Sequence, residues 1–375
     1  MGFETDEFIV LLFHRDANPP EITAHRKAGK QPKNNQNRFL AVVFFDAIWG
    51  SNMGRKHFYG AAAVALAAAA IYLNNSSLLA LHRPGKPVLL AHRGIAQRFD
   101  ETDLKNDTCT ASRMLPPKHD YLENTIRSMQ AGFAAGADII EIDVHPTTDG
   151  QFAVFHDWTL DCRTDGHGVT REHSMAEMRK LDIGYGYTAD GGKSFPFRGR
   201  GIGLMPTLAQ VLSTFPDRRF LINIKSRDPS EGEKLAAVLN GLSAARRAEI
   251  IAYGGDAPID VLRRLVPDIK TASRQSLKGC LFGYIGYGWT GLMPDACKQR
   301  MMLVPINIAP WLWGWPDRFL NRMQDAGTEI FVLGPYRGGE FSTGIDDPAQ
   351  LARLPPNYAA GIWTNEIETI GRLLE

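Results

Sequence analysis

The chain has few cysteines and almost no net charge. Its 375 residues include four cysteines, and 42 basic residues nearly balance 41 acidic ones, which leaves a net charge of +1. No block or stripe of basic residues stands out, so nucleic-acid binding has no electrostatic support. Hydrophobic residues make up 44%, aromatic residues 10% and charged residues 22% of the chain, which is typical of a globular protein. The length suits one large α/β barrel with an additional N-terminal segment.

Long apolar runs are also rare, and the one at residues 58–73 (FYGAAAVALAAAAIYL) carries no charge. Its length lies between the ~20 residues of a spanning helix and the core of a signal peptide. A buried alanine-rich helix is the alternative, but such a helix should show a polar stripe. The basic residues Arg55 and Lys56 flank only the N-terminal side, as in an exported or anchored protein. We therefore predict export or membrane anchoring through 58–73, with an uncleaved anchor favoured because no small-x-small cleavage site follows.

The segment before this run has a different character. Met53 begins what is in itself a complete signal, with a short basic region and an apolar core. Residues 1–52 show no periodic pattern, and 26–38 are polar and basic. We predict that 1–52 is an upstream extension that is not translated or, alternatively, a disordered tail. The predicted division is then 1–52, a signal or anchor with its linker at 53–86, and a barrel at 87–375.

From Pro87 onward, short apolar runs alternate with helical patterns. The predicted strands are 87–92, 137–145, 151–156, 220–225, 249–254, 268–274, 301–308, 328–334 and 359–364. The predicted helices are 122–135, 207–215, 230–247, 256–265, 317–326 and 366–374. The run at 151–156 follows a turn signal and is a short addition. Eight near-continuous apolar strands alternating with helices predict a parallel (β/α)8 TIM barrel with an N-terminal signal or anchor extension.

Residues with catalytic potential lie at the ends of the first predicted strands. Glu141 and Asp143 are two positions apart, so both carboxylates project from the same face of one strand. Paired carboxylates are suited to a hard divalent cation such as Ca²⁺ or Mg²⁺. An unperturbed imidazole titrates near neutrality, so His92 and His156 can act as acid and base. With Arg93 beside them, these residues predict attack on a phosphate ester at the C-terminal ends of the strands.

An ordered series of motifs resembles the glycerophosphodiester phosphodiesterase family. The series is HRG at 92–94, ENT at 123–125, EIDVHPTTDG at 141–150, VFHD at 154–157, CRTDGHG at 162–168, a strand ending in Lys225, and GIWTN at 361–365. HRG alone occurs by chance in many proteins, but the order and spacing of the series make coincidence improbable. The resemblance implies a TIM barrel and two-histidine catalysis. It also implies that the neighbouring glycerol hydroxyl attacks phosphorus and that water opens the cyclic phosphate.

The roles of the remaining residues follow from this chemistry. Arg93 and Lys225 hold the phosphate, the former by its planar fork and the latter as a point charge. His92 and His156 share the acid and base roles, and which residue takes which role stays open. Glu123 and Asn124 tie the start of the first helix to the site, with helix capping as the alternative.

One position departs from the family's pattern. Strand three usually carries a glutamate two residues before the lysine, whereas this chain has Asn223 there. An amide oxygen can ligate Ca²⁺ or Mg²⁺ but brings no charge, so we expect a weaker but working cation site of Glu141, Asp143 and Asn223. A minor alternative is zinc, held by a Glu-x-Asp-x-His row that includes His145.

The predicted function is metal-dependent hydrolysis of glycerophosphodiesters to an alcohol and glycerol 3-phosphate, or of lysophospholipids to a lysophosphatidic acid. The first alternative is a related phospholipase D-like or phosphoinositide-cleaving barrel. The second is a catalytically impaired protein that binds a lipid surface, which Asn223 would explain. The protein is expected to be anchored in the membrane or periplasmic. The sequence predicts no particular oligomeric state.

Three further features are expected near the mouth of the barrel. The polar segment between HRG and ENT is predicted to be a loop over the site. The aromatic cluster at 311–315 either packs between barrel and helix, lines the substrate entrance, or touches a lipid surface. If the barrel is exported, Cys109 and Cys162 are expected to form one disulfide and Cys280 and Cys297 another.

Overall fold

The computed structural model describes residues 55–104, 108–337 and 343–375. Within these residues the chain divides between Asn74 and Asn75 into two compact units. The prediction for residues 1–52 lies outside the described part of the chain.

The first unit is built around one helix, α1, at Arg55–Asn75. Alanine and leucine have high helix propensity, and the run of alanines contains no residue that interrupts the helix. The stretch Lys56–Asn75 is long and apolar enough to cross a membrane, and none of its most apolar window is buried. The missing burial argues against the alternative of a core helix, whereas length and composition suit a signal sequence as well as an anchor.

The second unit consists of nine described strands and the helices between them. The strands are β1 Val88–His92, β2 Ile139–Pro146, β3 Phe152–Val154, β4 Arg219–Ile224, β5 Ile250–Gly254, β6 Lys270–Ser273, β7 Met301–Pro305, β8 Glu329–Leu333 and β9 Gly361–Thr364. The helices are α2 Ile126–Ala134, α3 Met175–Met178, α4 Leu208–Thr214, α5 Pro229–Asn240, α6 Ala244–Ala248, α7 Asp256–Leu265, α8 Arg274–Tyr287, α9 Asp317–Asp325, α10 Pro348–Leu351 and α11 Ile367–Leu374.

The strand order confirms the predicted barrel. Hydrogen-bonded neighbours follow the order β6-β5-β4-β2-β1-β9-β8-β7, and the neighbours in this order are parallel. A parallel bridge between Thr271 and Arg300 joins β6 to the chain just before β7 and so brings the two ends of the sheet together. The short β3 pairs antiparallel with the end of β2. The result is an eight-stranded parallel barrel with one added strand.

The short helices α3 and α10 were not predicted, and two longer helical segments also differ from the sequence-based expectation. The helix predicted over 230–247 is interrupted: α5 ends at Asn240, and Ser243 caps the separate α6 by accepting a hydrogen bond from the Arg246 amide. Helix α8 was not predicted, because Gly279, Gly283 and Gly286 lower its intrinsic helix propensity. Tertiary packing overrides that preference, since α8 buries Cys280, Leu281 and Tyr284 against the barrel wall.

The interior of the barrel explains which side chains reach the site. Its apolar filling includes Leu90, Ile139, Leu221, Ile251 and Trp363, one from each of β1, β2, β4, β5 and β9. Successive side chains in a strand alternate between faces. Two positions further along β1, β2, β4 and β5, at the C-terminal ends of these strands, the side chains therefore point toward the same interior. These side chains belong to His92, Glu141, Asn223 and Tyr253.

The segment between β1 and α2 is more than a polar loop. Its residues Ala111, Met114 and Leu122 are buried in a second apolar cluster with Phe155 and other residues of the connection that follows β3. The predicted disulfides are confirmed: the Cα atoms of Cys109 and Cys162 are 5.4 Å apart, and those of Cys280 and Cys297 are 4.7 Å apart. The first bond pins this segment to the β3 connection, as expected from the sequence.

Candidate active site

Three neighbouring strands bring the sequence-predicted residues together at one end of the barrel. In the parallel registers, His92 lies directly beside Glu141, and Asp143 directly beside Asn223. Lys225 follows the end of β4 and is fully buried. The C-terminal end of the strands is the usual location of the active site in a TIM barrel. The sequence anticipated this convergence because strand alternation and strand order both follow from the hydrophobic pattern.

Asp143 lies at the centre of this cluster and is fully buried. Its carboxylate lies 3.3 Å from Nε of Arg93 and 3.6 Å from Nζ of Lys225. It also accepts hydrogen bonds from the side-chain amides of Asn124, at 3.0 Å, and Asn223, at 2.9 Å. Burial alone would raise the pKa of Asp143, but the two cations outweigh it and lower the pKa. Asp143 is therefore ionised at neutral pH.

Glu141 has a different environment on the same strand face. Its Oε1 accepts a hydrogen bond of 2.7 Å from the Tyr253 hydroxyl, while Oε2 is buried without a hydrogen bond. Oε2 lies 3.8 Å from Nε2 of His92. Burial, followed by the nearby Asp143 carboxylate, raises the pKa of Glu141 to about 8. Tyr253 had no sequence signal, because it comes from β5, which carries none of the recognised motifs.

The donors present fit a hard divalent cation. Oδ1 of Asn223 is buried and has no hydrogen bond, because the Nδ2 of the same amide donates to Asp143. Together with Oε2 of Glu141, it makes two buried oxygens that lack a partner, and oxygen is the ligand type of Ca²⁺ and Mg²⁺. No group of three His, Cys, Asp or Glu suited to a metal occurs in the described residues. The amide oxygen of Asn223 would therefore be the third ligand, beside the carboxylates of Glu141 and Asp143.

His92 is oriented through its Nδ1 atom. Nδ1 lies 2.7 Å from Oδ1 of Asn365, whose Nδ2 donates to Asp346 at 2.8 Å. Because the Nδ2 of Asn365 donates to the Asp346 carboxylate, the amide oxygen of Asn365 faces the imidazole. Nδ1 of His92 must therefore carry the proton. Nε2 is then an acceptor, and Nε of Arg93 donates to it at 3.1 Å. Asn365 belongs to the GIWTN motif but had no assigned role, and Asp346 was missed because it lies in a loop without a motif.

Arg93 is held in a defined position by its backbone and by Glu123. Its φ of 60° is in the left-handed region, as is the φ of 58° at Asn124, and such values are uncommon outside glycine. Nη1 of Arg93 donates to Glu123 at 3.0 Å. Helix α2 is capped by Thr125, which accepts a hydrogen bond from the Ser128 amide. Glu123 and Asn124 therefore contact the site directly and do not cap the helix.

His156 is held by a buried ion-pair network. Its Nδ1 lies 2.7 Å from Asp157, which in turn accepts a hydrogen bond of 2.9 Å from Nε of Arg163. Arg163 also lies 3.1 Å from Glu123, so one buried guanidinium links the supports of His156 and Arg93. Burial, with Arg93 and Lys225 next, opposes the charged imidazole, but Asp143 and Asp157 outweigh them and raise the pKa of His156. Asp157 and Arg163 lie in the VFHD and CRTDGHG motifs, but sequence reasoning assigned neither a role.

His145 has no place in a row of metal ligands. Its Nε2 lies 3.3 Å from the backbone carbonyl of His156, and the ring packs edge-on against Trp158. Burial, followed by the charge of Lys225, lowers the pKa of His145 to about 3. A neutral imidazole then donates to the carbonyl of His156. The zinc alternative receives no support from the described residues, and the contact gives His145 a structural role beneath His156.

The comparisons with known proteins agree with this geometry. Residues 92–277 match the model of the Glycerophosphoryl diester phosphodiesterase family. The glycerophosphodiester phosphodiesterase of Bacillus subtilis (strain 168) is 37% identical over 254 residues, which cover 65% of this chain and 78% of that relative. The glycerophosphodiester phosphodiesterase of Caldanaerobacter subterraneus subsp. tengcongensis is 33% identical over 153 residues, which cover 40% of this chain and 59% of that relative.

Solved structures show the same fold. The glycerophosphodiester phosphodiesterase of Agrobacterium tumefaciens superposes with a TM-score of 0.52 at 20% identity and covers 76% of this chain and 99% of its own. The glycerophosphoryl diester phosphodiesterase domain of an uncharacterized Mycobacterium tuberculosis protein gives a TM-score of 0.54 at 16% identity, with 77% of this chain and 100% of that chain covered. These neighbours agree with the barrel architecture derived from the strand order.

Proposed function

The chain belongs to the glycerophosphodiester phosphodiesterase family, a family of phosphoric diester hydrolases, and from this premise we propose that it hydrolyses glycerophosphodiesters to an alcohol and glycerol 3-phosphate. The observation that carries the proposal is the pairing of two imidazoles, each fixed through Nδ1, around a buried cluster of cations and carboxylates. His92 is fixed by Asn365 and His156 by Asp157. This arrangement supplies the acid, the base and the positive charge that cleavage of a phosphodiester requires.

The hydrogen bonds favour a division of labour between the two histidines. Because its Nδ1–H donates a hydrogen bond to Oδ1 of Asn365, His92 presents the lone pair of Nε2 and is the base that takes the proton of the attacking hydroxyl. Asp157 stabilises a charged imidazole at His156, which makes His156 the acid. The attacking glycerol hydroxyl forms a bond to phosphorus as the bond to the leaving alcohol oxygen breaks. His156 gives its proton to that oxygen, and water then opens the cyclic phosphate.

Arg93 and Lys225 are the residues that we assign to the phosphate. Both are buried beside the Asp143 carboxylate, at 3.3 Å for Nε of Arg93 and 3.6 Å for Nζ of Lys225. A guanidinium can grip two phosphate oxygens in its fork, and an ammonium acts as a compact charge. The contact of Arg93 with Glu123 keeps its guanidinium oriented before substrate arrives.

A divalent cation, Ca²⁺ or Mg²⁺, is assigned to Glu141, Asp143 and Asn223. The unpartnered oxygens of Glu141 and Asn223 support this assignment. When bound, such a cation neutralises charge on the non-bridging phosphate oxygens. The protein residues have separate tasks: Tyr253 holds Glu141 in place, and Asn124 holds Asp143. Because Asn223 adds no charge, we expect the cation to bind more weakly than at a site with three carboxylates.

We also propose that the barrel is exported and held at a membrane by α1, with lysophospholipids as additional substrates. Two observations support this location. Helix α1 contains a stretch that is long and apolar enough to cross a bilayer. Cys109–Cys162 and Cys280–Cys297 are disulfides, and disulfides form and persist in oxidising compartments.

One panel of assays tests these proposals together. The full-length protein is incubated with glycerophosphocholine, glycerophosphoethanolamine, lysophosphatidylcholine, phosphatidylcholine or a phosphoinositide, with and without Ca²⁺ or Mg²⁺, and the released alcohol is measured. Release of choline or ethanolamine together with glycerol 3-phosphate supports the proposed hydrolysis. Turnover of phosphoinositides or of intact phospholipids instead would favour the related phospholipase barrel. Binding of lipid without any turnover would favour the impaired binding protein.

A further inference from the structure

The side of the barrel formed by α8 and the chain after β7 exposes large apolar side chains. Trp311 is 76% exposed and Leu292 is 66% exposed, and Trp289 and Trp313 are more than one third exposed. The sequence left open whether the cluster at 311–315 packs inside the protein. Trp315 does so, with its ring centroid 5.9 Å from that of Phe319, whereas Trp311 does not. Large exposed apolar side chains that cluster on one side of a protein mark a surface that contacts another apolar phase.

The linker that follows α1 runs along this side of the barrel. Ser77 donates to the carbonyl of Gly314 at 2.8 Å and accepts hydrogen bonds from the amides of Asp317 and Arg318. Nδ2 of Asn321 donates to the carbonyl of Leu81 at 2.7 Å. The linker is therefore fastened to the start and middle of α9 through the Ser77 hydroxyl and the Leu81 carbonyl. Its own apolar side chains point away from the barrel: Leu78 is 82% exposed, and Leu81 is 74% exposed.

Hydrogen bonds join the tryptophan segment to α8 as well. The Trp313 carbonyl accepts a hydrogen bond of 2.7 Å from the Tyr284 hydroxyl, and Nε1 of Trp313 donates to the Ile285 carbonyl at 2.9 Å. Three chain segments thus meet on one side: the linker at 77–81, the end of α8 with the turn after it, and the segment after β7. We call the exposed apolar side chains of these segments the apolar patch, namely Leu78, Leu79, Leu81, Trp289, Trp311 and Trp313.

We propose that the apolar patch docks on the surface of a lipid bilayer and so gives the barrel a second membrane contact besides α1. The proposal rests on the anchoring proposed above. The stretch that can cross a bilayer ends at Asn75, and Leu78 follows three residues later. A residue so close to the end of a membrane span must lie at the bilayer surface. Because the linker is fastened to Gly314 and α9, the neighbouring tryptophans are brought to that surface with it.

The residue types also match the interface of a bilayer. Tryptophan is enriched at the level of the lipid headgroups because its ring is apolar while its indole N–H is polar. Leucines beside it add apolar area that enters the outer part of the acyl region. The segment 306–316 follows the C-terminal end of β7, which is the end of the barrel that carries the active site. Docking through this side would keep the mouth of the barrel close to membrane lipids.

The test uses the full chain in vesicles of phosphatidylcholine and phosphatidylglycerol. An environment-sensitive fluorophore is attached at Trp311→Cys and, as a control, at Leu265→Cys. Leu265 is also exposed, but it ends α7 and is not part of the apolar patch. We expect the label at position 311 to lie roughly 5–10 Å into the boundary between headgroups and acyl chains. Its emission should shift to the blue, and lipids with a nitroxide on the acyl chain should quench it, while the label at 265 stays unchanged.

Flotation of the vesicles separates the possible outcomes. Co-flotation of the protein with a label at 311 that remains in water would overturn docking but leave the anchor intact. Protein that does not float with the vesicles would overturn both the anchor and the docking proposal. Hydrolysis of soluble glycerophosphocholine, measured on the same samples, reports on the proposed function independently.

A substitution gives a second measurement. Trp311→Ser should reduce turnover of lysophosphatidylcholine held in vesicles several-fold and leave turnover of soluble glycerophosphocholine unchanged. Equal turnover of the vesicle-bound substrate by Trp311→Ser and the unsubstituted protein would contradict the docking proposal.

Discussion

The two halves of the barrel differ in where they hold their polar and apolar side chains. In the half made of β9, β1, β2 and β4, the strand ends carry buried charges, among them Arg93, Glu141, Asp143 and Lys225. From β5 to β8, the half contributes Tyr253 to the site and turns large apolar groups such as Trp311 toward the outside. The candidate catalytic residues thus lie mainly in one sector of the barrel, and the opposite sector is available for attachment to a membrane.

This difference follows from the energetics of burial. A buried charge is costly unless every group around it is paired, so the charged residues of the first half support one another. Arg163 shows this most clearly, because it contacts both Asp157 and Glu123. The second half carries no such network at the C-terminal ends of its strands in the described residues, and the residues of the apolar patch lie outside residues 92–277, which match the family.

The largest expected effect concerns the two histidines of the first half. His92→Ala and His156→Ala should each lower kcat by about 10²-fold or more, since each removes one acid or base. Steady-state hydrolysis of glycerophosphocholine measures the loss, and circular dichroism checks the fold. His167→Ala is the matched control, because this imidazole is exposed and contacts Asp161 at the surface. Full activity in either of the first two variants would remove the residue from the catalytic pair.

The second prediction concerns the cation site. A chelator should abolish activity, and Asn223→Glu should tighten cation binding by about tenfold, or ~1.4 kcal/mol, because a third carboxylate joins Glu141 and Asp143. Without a cation the same variant should melt at a lower temperature, since it loses the amide that donates to Asp143 and gains a like charge.

Calorimetric titration with Ca²⁺ and Mg²⁺ and thermal melts measure the two sides of this prediction. Asn223→Gln is the control, because it has the length of glutamate without the charge. An unchanged cation affinity in Asn223→Glu would show that position 223 does not contact the cation.

The third prediction concerns the support of His92. Asp346→Asn should lower activity by about 10–100-fold, a range typical of residues that orient a catalytic group. Without the carboxylate, the amide of Asn365 is free to turn its Nδ2 toward the imidazole, which favours the wrong tautomer of His92. Asp347→Asn is the control, because Asp347 caps α10 and does not contact Asn365. If Asp346→Asn keeps full activity, as Asp347→Asn should, the contact between Asn365 and His92 has no role in catalysis.

Sequence reasoning reached the barrel and the centre of the site because both rest on short-range patterns. The strands were located by apolar runs, and His92, Glu141 and Asp143 by their positions at strand ends. The partners Asn365 and Asp346 were assigned no roles because their contacts depend on long-range closure of the barrel, which brings residues 92 and 365 together. Helix α8 was missed for a related reason: its glycines oppose a helix locally, and packing with Cys297, β7 and the residues after β7 stabilises it.

The fourth prediction concerns the charge on His156. Asp157→Asn removes a hydrogen-bonded carboxylate that raises the pKa of His156, so that pKa should fall. If His156 is the acid, activity requires its charged form, and the alkaline limb of the pH profile should move to lower pH. Activity should therefore fall several-fold at alkaline pH and much less at acidic pH. Asp161→Asn, at an exposed carboxylate bonded to His167, is the control, and an unshifted limb in Asp157→Asn would assign the acid role elsewhere.

The smallest effects on activity are expected from the disulfides, and they divide along the same line as the two halves. Replacing Cys109 and Cys162 by alanine opens a loop with a separation of 53 residues, and replacing Cys280 and Cys297 opens one of 17. Chain entropy predicts losses of about 4 and about 3 kcal/mol in the free energy of unfolding, which urea unfolding measures.

Loss of the first pair should also lower activity a few-fold, because both cysteines lie next to contacts of the Arg163 guanidinium. Cys162 directly precedes Arg163, and Thr110, next to Cys109, accepts a hydrogen bond from that guanidinium. The second pair lies in the buried cluster that α8 forms with β7 and the residues after it, and its loss should leave hydrolysis of a soluble substrate unchanged. A loss of soluble activity in the second variant as large as that in the first would mean that the two halves are coupled, and the division between a catalytic and an attachment sector would not hold.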